Sequence, residues 1–242
     1  MVFKKYAEFY DNLYKNRKYE EETEFVHKLI KKHKPKAKTI LDLGCGTGRH
    51  DALLVKKGYK VLGIDKSLHM VSLAKKNNPD LRFKTSDIKS FKSNEKFDVI
   101  ISLFHVLSYH NFNKDVRGFF NTIKKHLKKD GICIFDFWYG PAVLTQKPER
   151  RVKVIETRDT VFKRIATPTL KENENLVVID YSLVLRGERQ KVSESHIMRY
   201  FFLPELAEFM SEFKLKTVTK KEWLTNNKPS TKSWGVYLVG KN

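Results

Sequence analysis

Three glycines spaced two apart, Gly44, Gly46 and Gly48, follow one acid, Asp42, and precede two more, Asp65 and Asp87. Glycine has no side chain to collide, so such a loop lets backbone approach a ligand closely. An acid about 20 residues further on, at the tip of the next strand, is placed to accept hydrogen bonds from ribose hydroxyls. Asp87 ends a later strand, where a carboxylate accepts from an adenine exocyclic amine while Ile88 lies alongside the ring; a turn-stabilising Asp is the plainer reading of that residue taken alone. Together these residues describe a site for a nucleoside-containing cofactor. The dinucleotide fingerprint G-x-G-x-x-G faces a pyrophosphate. Here the spacing is G-x-G-x-G, with Asp42 two residues before the first glycine. An acid repels a phosphate and attracts a ligand that carries an ammonium or a sulfonium.

The elements that must hold these residues alternate between strand and helix. Lys38–Leu41 reads as a strand, Arg49–Lys57 as a helix ending at Gly58, and Tyr59–Ile64 as a second strand ending on Asp65. Lys66 to Lys76 follows as a helix, with Ser67 as its N-cap. Leu81–Lys84, Phe97–His105 and Ile132–Phe137 supply three further strands, with a helix at Lys114–Lys129. In a doubly wound sheet the fourth strand ends beside the loop of the first, so Phe104 and His105 should border the cofactor. Met70 packs either on an adenine face or in the core.

The flanks differ from this core. Phe3, Tyr6, Phe9 and Tyr10 recur at helical spacing before Tyr14 and Tyr19, which suggests a lid helix with Tyr14 and Tyr19 in the site. Asp136, Trp138 and Tyr139 leave the fifth strand at the ligand edge and suit a substrate floor. From about Arg151 four β-rich stretches read as an antiparallel excursion, after which Pro204 starts a helix and two closing strands follow. The chain therefore divides into a helical lid (1–36), a core (37–140), an antiparallel β cap (141–203) and a closing helix with strands (204–242).

The 242 residues carry 48 Lys and Arg against 28 Asp and Glu, a formal charge of +20, which raises the question of nucleic acid. Many lysines come as pairs at or near expected helix C-termini (31–32, 56–57, 75–76, 124–125, 128–129), where they complement the helix dipole. With no arginine-rich arm and no RNA-reading aromatic motif, nucleic-acid binding stays the alternative. No apolar run reaches the roughly 18 residues that span a membrane. The first residues lack the apolar core of a secretory signal, and two cysteines make no disulfide framework, so a cytoplasmic address is expected.

The core from Ile40 to Asp136 resembles the class I S-adenosylmethionine (SAM) methyltransferases, with Leu41–Gly48 standing as their first motif. The flanking segments Tyr10–Tyr14, Phe137–Tyr139 and Ser193–Tyr200 are similar to small-molecule members that act on nucleotide-linked aminosugars and surface-polysaccharide sugars. The resemblance implies a Rossmann-like α/β fold: a seven-stranded, mostly parallel, doubly wound sheet with an antiparallel final strand, plus the β insert as substrate cap. It implies that Asp42, Gly44, Gly46 and Gly48 hold the methionine part of SAM, with Tyr14 closing over it and Lys66, Met70 and Phe104 beside it. S-adenosylhomocysteine (SAH) would be the product.

An amine acceptor must lose a proton before it attacks, and a hydroxyl needs a general base more strongly. The candidates are His196, His105 and Asp136. Tyr10, Tyr19, Trp138 and Tyr139 are expected around the acceptor, and Arg199, Arg17 or Lys18 would meet a substrate phosphate. No cluster stands at metal-ligand spacing, so no metal is expected. The resulting expectation is methyl transfer to a small, phosphorylated acceptor, with oligomeric state left open, a homodimer included. An RNA methyltransferase and a non-catalytic SAM-binding partner are the competing readings.

Overall fold

The computed structural model describes residues 13–14, 17–156, 161–185 and 191–242. Five parallel strands, β1 (Thr39–Leu43), β2 (Lys60–Asp65), β3 (Arg82–Thr85), β4 (Phe97–Ser102) and β5 (Leu127–Tyr139), lie in the order β3-β2-β1-β4-β5. Beyond β5 comes β11 (Gly235–Lys241), antiparallel to it from Gly235↔Trp138 to Lys241↔Ile132, and then β10 (Lys216–Glu222). This is the expected doubly wound sheet with an antiparallel last strand. The order reverses between β1 and β4, so a crevice opens above their carboxyl ends.

Side chains alternate across the sheet, so each strand feeds two cores. Leu41, Leu43, Ile100, Phe135 and Phe137 pack with Phe119, Phe120, Leu206 and Phe209 of α4 (Asn113–His126) and α6 (Leu203–Glu212). Ile40, Val99, Ile101, Ile132 and Ile134 pack on the other face with Val26 and Ile30 of α1 (Tyr19–His33) and Leu54 of α2 (Arg49–Lys56). Three acids in the first turn of α1 and three basic residues in its last complement the helix dipole. In α3 (Leu68–Asn77), Ser67 Oγ accepts the Met70 N–H at 3.3 Å, the expected cap.

Several boundaries differ from expectation, each for a tertiary reason. The helix expected to reach Lys129 stops at His126, because Leu127 pairs with Phe97 and Lys128 Nζ reaches Asp98 Oδ1 at 3.0 Å. The pair Lys128–Lys129 is therefore strand, not helix C-terminus. β4 ends at Ser102, with Phe104 and His105 both at positive φ (66° and 61°). A short helix, α5 (Gly140–Gln146), with proline in its first turn, follows β5.

The β-rich excursion is an antiparallel meander of β6 (Arg151–Glu156), β7 (Val161–Lys171), β8 (Leu176–Leu185) and β9 (Lys191–Phe201). It is also joined to the core sheet. β4 stops opposite Phe135, and the free edge of β5 beyond it takes β9 as a parallel partner through Trp138↔Tyr200 and Tyr139↔Phe201. Ile155, Phe162 and Leu183 of the meander pack with Leu13 and Met70. Lys153 Nζ donates to the Leu13 carbonyl at 2.7 Å.

Candidate functional site

A cavity of about 530 Å³ lies between the carboxyl ends of β1, β2 and β4 and the inner face of the meander. Its floor is the glycine loop. Gly44 and Cys45 donate their N–H groups to the Ile64 carbonyl at 2.8 and 3.0 Å, and Gly46 donates to Asp65 Oδ2 at 3.0 Å. Asp65 Oδ1 takes the Ser67 N–H at 2.7 Å. Each carboxylate oxygen has two lone pairs, so capacity remains for a ribose. Burial pushes the Asp65 carboxyl up, and the Ser67 and Gly46 amides work against it. Gly44 has φ +92°, and a Cβ there would stand 2.7 Å from both Val106 methyls. At Gly46 a Cβ would meet nothing within 4 Å, so the backbone leaves open space above it. The loop leaves open space for close approach of a ligand to backbone, with the Asp65 carboxylate beside it as acceptor.

Further along this wall, Asp87 Oδ1 accepts the Lys89 N–H at 2.9 Å and Oδ2 lies 3.3 Å from Lys66 Nζ. Burial alone would raise the Asp87 carboxyl, but the Lys89 amide and the Lys66 ammonium outweigh it and hold it below its usual range. Asp87 thus caps its turn and still lines the cavity beside Ile88, Lys66 and Met70. Tyr14 and Phe104 meet edge to face at 5.2 Å and close the side. Gly48 is not on the wall: its φ of +75° starts α2, and a Cβ there would press on the Phe83 ring. Asp42 is buried beneath the loop rather than exposed in it.

The second half of the cavity is made of side chains. The His105 N–H donates to the Asp136 carboxylate at 3.1 and 3.2 Å, which anchors the left-handed backbone at Phe104 and His105. His105 Nδ1 lies 2.8 Å from Asp136 Oδ2, a close contact off the line that a hydrogen bond prefers. With Nδ1 against this fully buried carboxylate, Nε2 is the ring nitrogen left for a ligand. Across the cavity, Tyr109 Oη and His196 Nδ1 are 2.9 Å apart, and His196 Nε2 is 3.3 Å from Glu194 Oε2. The Tyr181 ring meets His196 edge-on at 4.9 Å, and Trp138 completes the wall.

The other expected acceptor residues are placed elsewhere. Arg17 forms a two-point ion pair with Glu22 (3.0 and 2.7 Å) and lies 3.5 Å over the Phe104 ring. Arg199 binds Asn113 Oδ1 at 2.8 Å and Glu205, on the meander face opposite His196, tying β9 to α4 and α6. Lys18 pairs with exposed Glu21. Tyr139 packs against the α4/α6 core. Tyr19 is on the cavity wall, and Tyr10 lies outside the described residues. Sequence reasoning missed Tyr109, Tyr181 and Glu194. Glu194, two residues before His196 on a strand, shares its face, and that period-2 spacing was a usable signal. Nothing local marked the other two. Cations on the described wall, Arg49, Lys66 and Lys89, belong to the glycine-loop end; the described residues of the meander contribute none.

Comparison with known proteins matches residues 40–131 to the methyltransferase-domain family. Over 241 residues the chain is 27% identical to the provisionally named methyltransferase YqeM of Bacillus subtilis (strain 168), covering 96% of this chain and 94% of that relative. It is also 27% identical to the dTDP-3-amino-3,6-dideoxy-alpha-D-glucopyranose N,N-dimethyltransferase of Streptomyces fradiae, over 57% of this chain and 55% of that enzyme. Among solved structures, a SAM-dependent methyltransferase from Clostridium acetobutylicum ATCC 824 superposes with a TM-score of 0.84 at 22% identity, covering 98% and 97% of the two chains. That last likeness is one of fold.

Proposed function

We propose that this enzyme, whose residues 40–131 match the methyltransferase-domain family and whose fold is that of a SAM-dependent methyltransferase, methylates an amine or hydroxyl of a small molecule, a nucleotide-linked aminosugar destined for a surface glycan. The observation that carries this reading is the acceptor half of the cavity. Among the described residues it presents aromatic walls and two imidazoles backed by carboxylates, and no Lys or Arg from the meander. Such a chamber suits a sugar ring with a basic or neutral nucleophile, and leaves the nucleotide's phosphates at its mouth. The Streptomyces relative, whose name specifies a dTDP-linked aminosugar, supports the acceptor class. Both cysteines are free and buried, which fits the cytoplasmic address.

SAM, when bound, supplies a methyl group activated by its sulfonium. The protein's part is binding, alignment and proton removal. Gly44 and Gly46 bring backbone to the methionyl end, Asp65 accepts from the ribose, and Asp87 with Ile88 and Met70 receives the base. Tyr14 and Phe104 keep water out. Alignment of this kind contributes roughly 7–11 kcal/mol. An ammonium has no lone pair, so a neutral base must take its proton first. His105 Nε2 is assigned that role, with Asp136 stabilising the imidazolium that results. Tyr109 holds the acceptor, polarised through His196 and Glu194. In this reading Tyr14 and Tyr19 close the side of the cavity while the rest of α1 belongs to the core, 37–140 with 204–242 act as the cofactor frame, and 141–203 as the cap that selects the acceptor.

The test is SAH release with purified protein, SAM and two acceptor pools, nucleotide sugars and total RNA, at low and high salt. Product from the sugar pool, with a methylated nucleotide sugar seen by mass spectrometry, is the expected result. Turnover on RNA alone, lost as salt rises, would overturn the reading and make the +20 charge the functional feature.

A further inference from the structure

Beneath the glycine loop lies a pair of carboxylates that the reaction just described leaves unused. Asp42 on β1 is 2% exposed and Asp51 on α2 is 1% exposed. Asp42 Oδ1 and both Asp51 carboxylate oxygens are shut off from solvent with no N–H or O–H partner among the described residues. Gly63, the cross-strand neighbour of Asp42, lies against Asp51 Oδ2, so the two carboxylates share one dry space and have only each other to hydrogen-bond. Two carboxylates make a hydrogen bond only by sharing a proton. The neighbouring strand leaves room for the pair, since a Cβ on Gly63 would collide with Asp51 Oδ2.

The titratable groups around the pair are few. Asp65 stands at the tip of β2, Cys45 in the loop and His50 beside Asp51 on α2. His50 Nε2 is 2.9 Å from Glu22 of α1, which is also the partner of Arg17. Burial pushes Asp42 well above the usual carboxylate range, and the charges of Asp51 and Asp65 add to that. Burial likewise raises Asp51, to about 6. A pair that shares one proton carries one negative charge, close to the loop that receives the cofactor's charged end.

We propose that Asp51 is a specificity residue for the charge of the cofactor: with Asp42 it forms a proton-sharing pair that gives up its proton beneath a sulfonium and keeps it beneath the uncharged thioether of the product. The proposal rests on SAM binding at the glycine loop. SAM carries one positive charge more than SAH. That charge favours the doubly ionised pair, so the pair's pKa falls in the SAM complex and the proton passes to the buffer. Each unit of that fall is tenfold in affinity. The sign follows directly. SAM affinity rises with pH through the window below the free pair's pKa, SAH affinity does not, and the enzyme sheds product in favour of fresh cofactor.

The experiment is titration calorimetry of the full chain with SAM and with SAH between pH 5 and 7, in buffers of differing ionisation heat. The α-amino groups of both ligands stay mostly protonated in that range. The expected result is proton release of up to one per SAM bound, none with SAH, and a rise of about tenfold in the SAM-to-SAH affinity ratio. Asp65 contacts the ribose common to both ligands and cancels from the ratio. In Asp51→Asn, a near-isosteric change, both ligands still bind and the ratio becomes flat. In His50→Gln the release persists. Parallel pH profiles for SAM and SAH in the wild-type protein, a measurement that needs no variant, would overturn the role of the pair while leaving the cofactor site standing. So would a slope that survives in Asp51→Asn. Failure of both ligands to bind at every pH would instead overturn the cofactor site, and the role of the pair with it.

Discussion

The two halves of the cavity are built from different materials. The glycine-loop half is backbone and strand-end carboxylate, drawn from successive strand-loop-helix units at Gly44–Gly46, Asp65–Met70 and Asp87–Lys89. Its geometry is a matter of φ angles and amide donors, such as the Gly46 N–H on Asp65. The acceptor half is side chain on side chain, and the Tyr109–His196 hydrogen bond spans 87 residues of sequence. In the proposed reading, the fixed portion of the ligands meets a local motif that tolerates little change, and the variable portion meets a chamber walled in part by the meander, where loop and strand substitutions can reshape the pocket.

The sharpest way to break this contrast is at Gly44. A valine there would need φ +92° and would drive its Cβ into Val106. SAM affinity by calorimetry should fall by more than about 100-fold while circular dichroism stays native. A variant that binds normally would show that the floor is not backbone-built. Next in size is His105→Gln, which should lower kcat by about 100-fold or more while leaving SAM affinity within about twofold. Loss of cofactor binding in that variant would mean that the halves are not separable. Tyr109→Phe and Glu194→Gln should each cost about tenfold in kcat, and the double variant little more than either, because one linked group fails only once.

Arg199→Met sharpens the boundary of the chamber. Removing one partner from the Arg199–Glu205 pair should cost about 2 kcal/mol by denaturant unfolding, with acceptor KM unchanged. A raised KM at unchanged stability would return Arg199 to the acceptor's phosphate. The smallest effect lies far from both halves, at Asp98. Burial would raise its carboxyl, but the Lys38 and Thr39 amides and Lys128 outweigh it and bring it down to about 2. A depressed carboxylate contributes stability above its unfolded value, 3.8, that is lost as pH falls towards 2. Asp98→Asn should therefore cost about 1 kcal/mol at pH 7, after discounting for solvent, and nearly nothing at pH 2.

Legibility in the sequence follows the same division. Short apolar runs and glycine punctuation made each parallel strand readable, because those signals are local, whereas the doubly wound sheet with its antiparallel last strand followed from the family resemblance. Gly44, Gly46, Asp65 and Asp87, expected from equally local signals, all line the cavity, whereas Gly48 does not. Boundaries failed where a distant partner outbid local preference, as when Phe97 and Asp98 drew Leu127 and Lys128 out of helix α4. Arg17 and Arg199 read as anion ligands because a free arginine and a paired one look alike until the partner is located. Asp51 passed unnoticed, since an acid in the first turn of a helix is ordinary.

By itself the sequence determined that a glycine loop and strand-end acids would gather at one edge of a doubly wound sheet. Chain connectivity and the right-handed crossover leave little freedom there. Only the tertiary structure decided which side chains face the acceptor. That depended on β5 outrunning β4, on β9 taking the vacated edge through Trp138 and Tyr139, and on the meander thereby swinging Tyr181, Glu194 and His196 over the cavity. Strand pairing of this kind is settled by which hydrogen-bonding edges remain open once the rest of the sheet has formed, a property of no single segment.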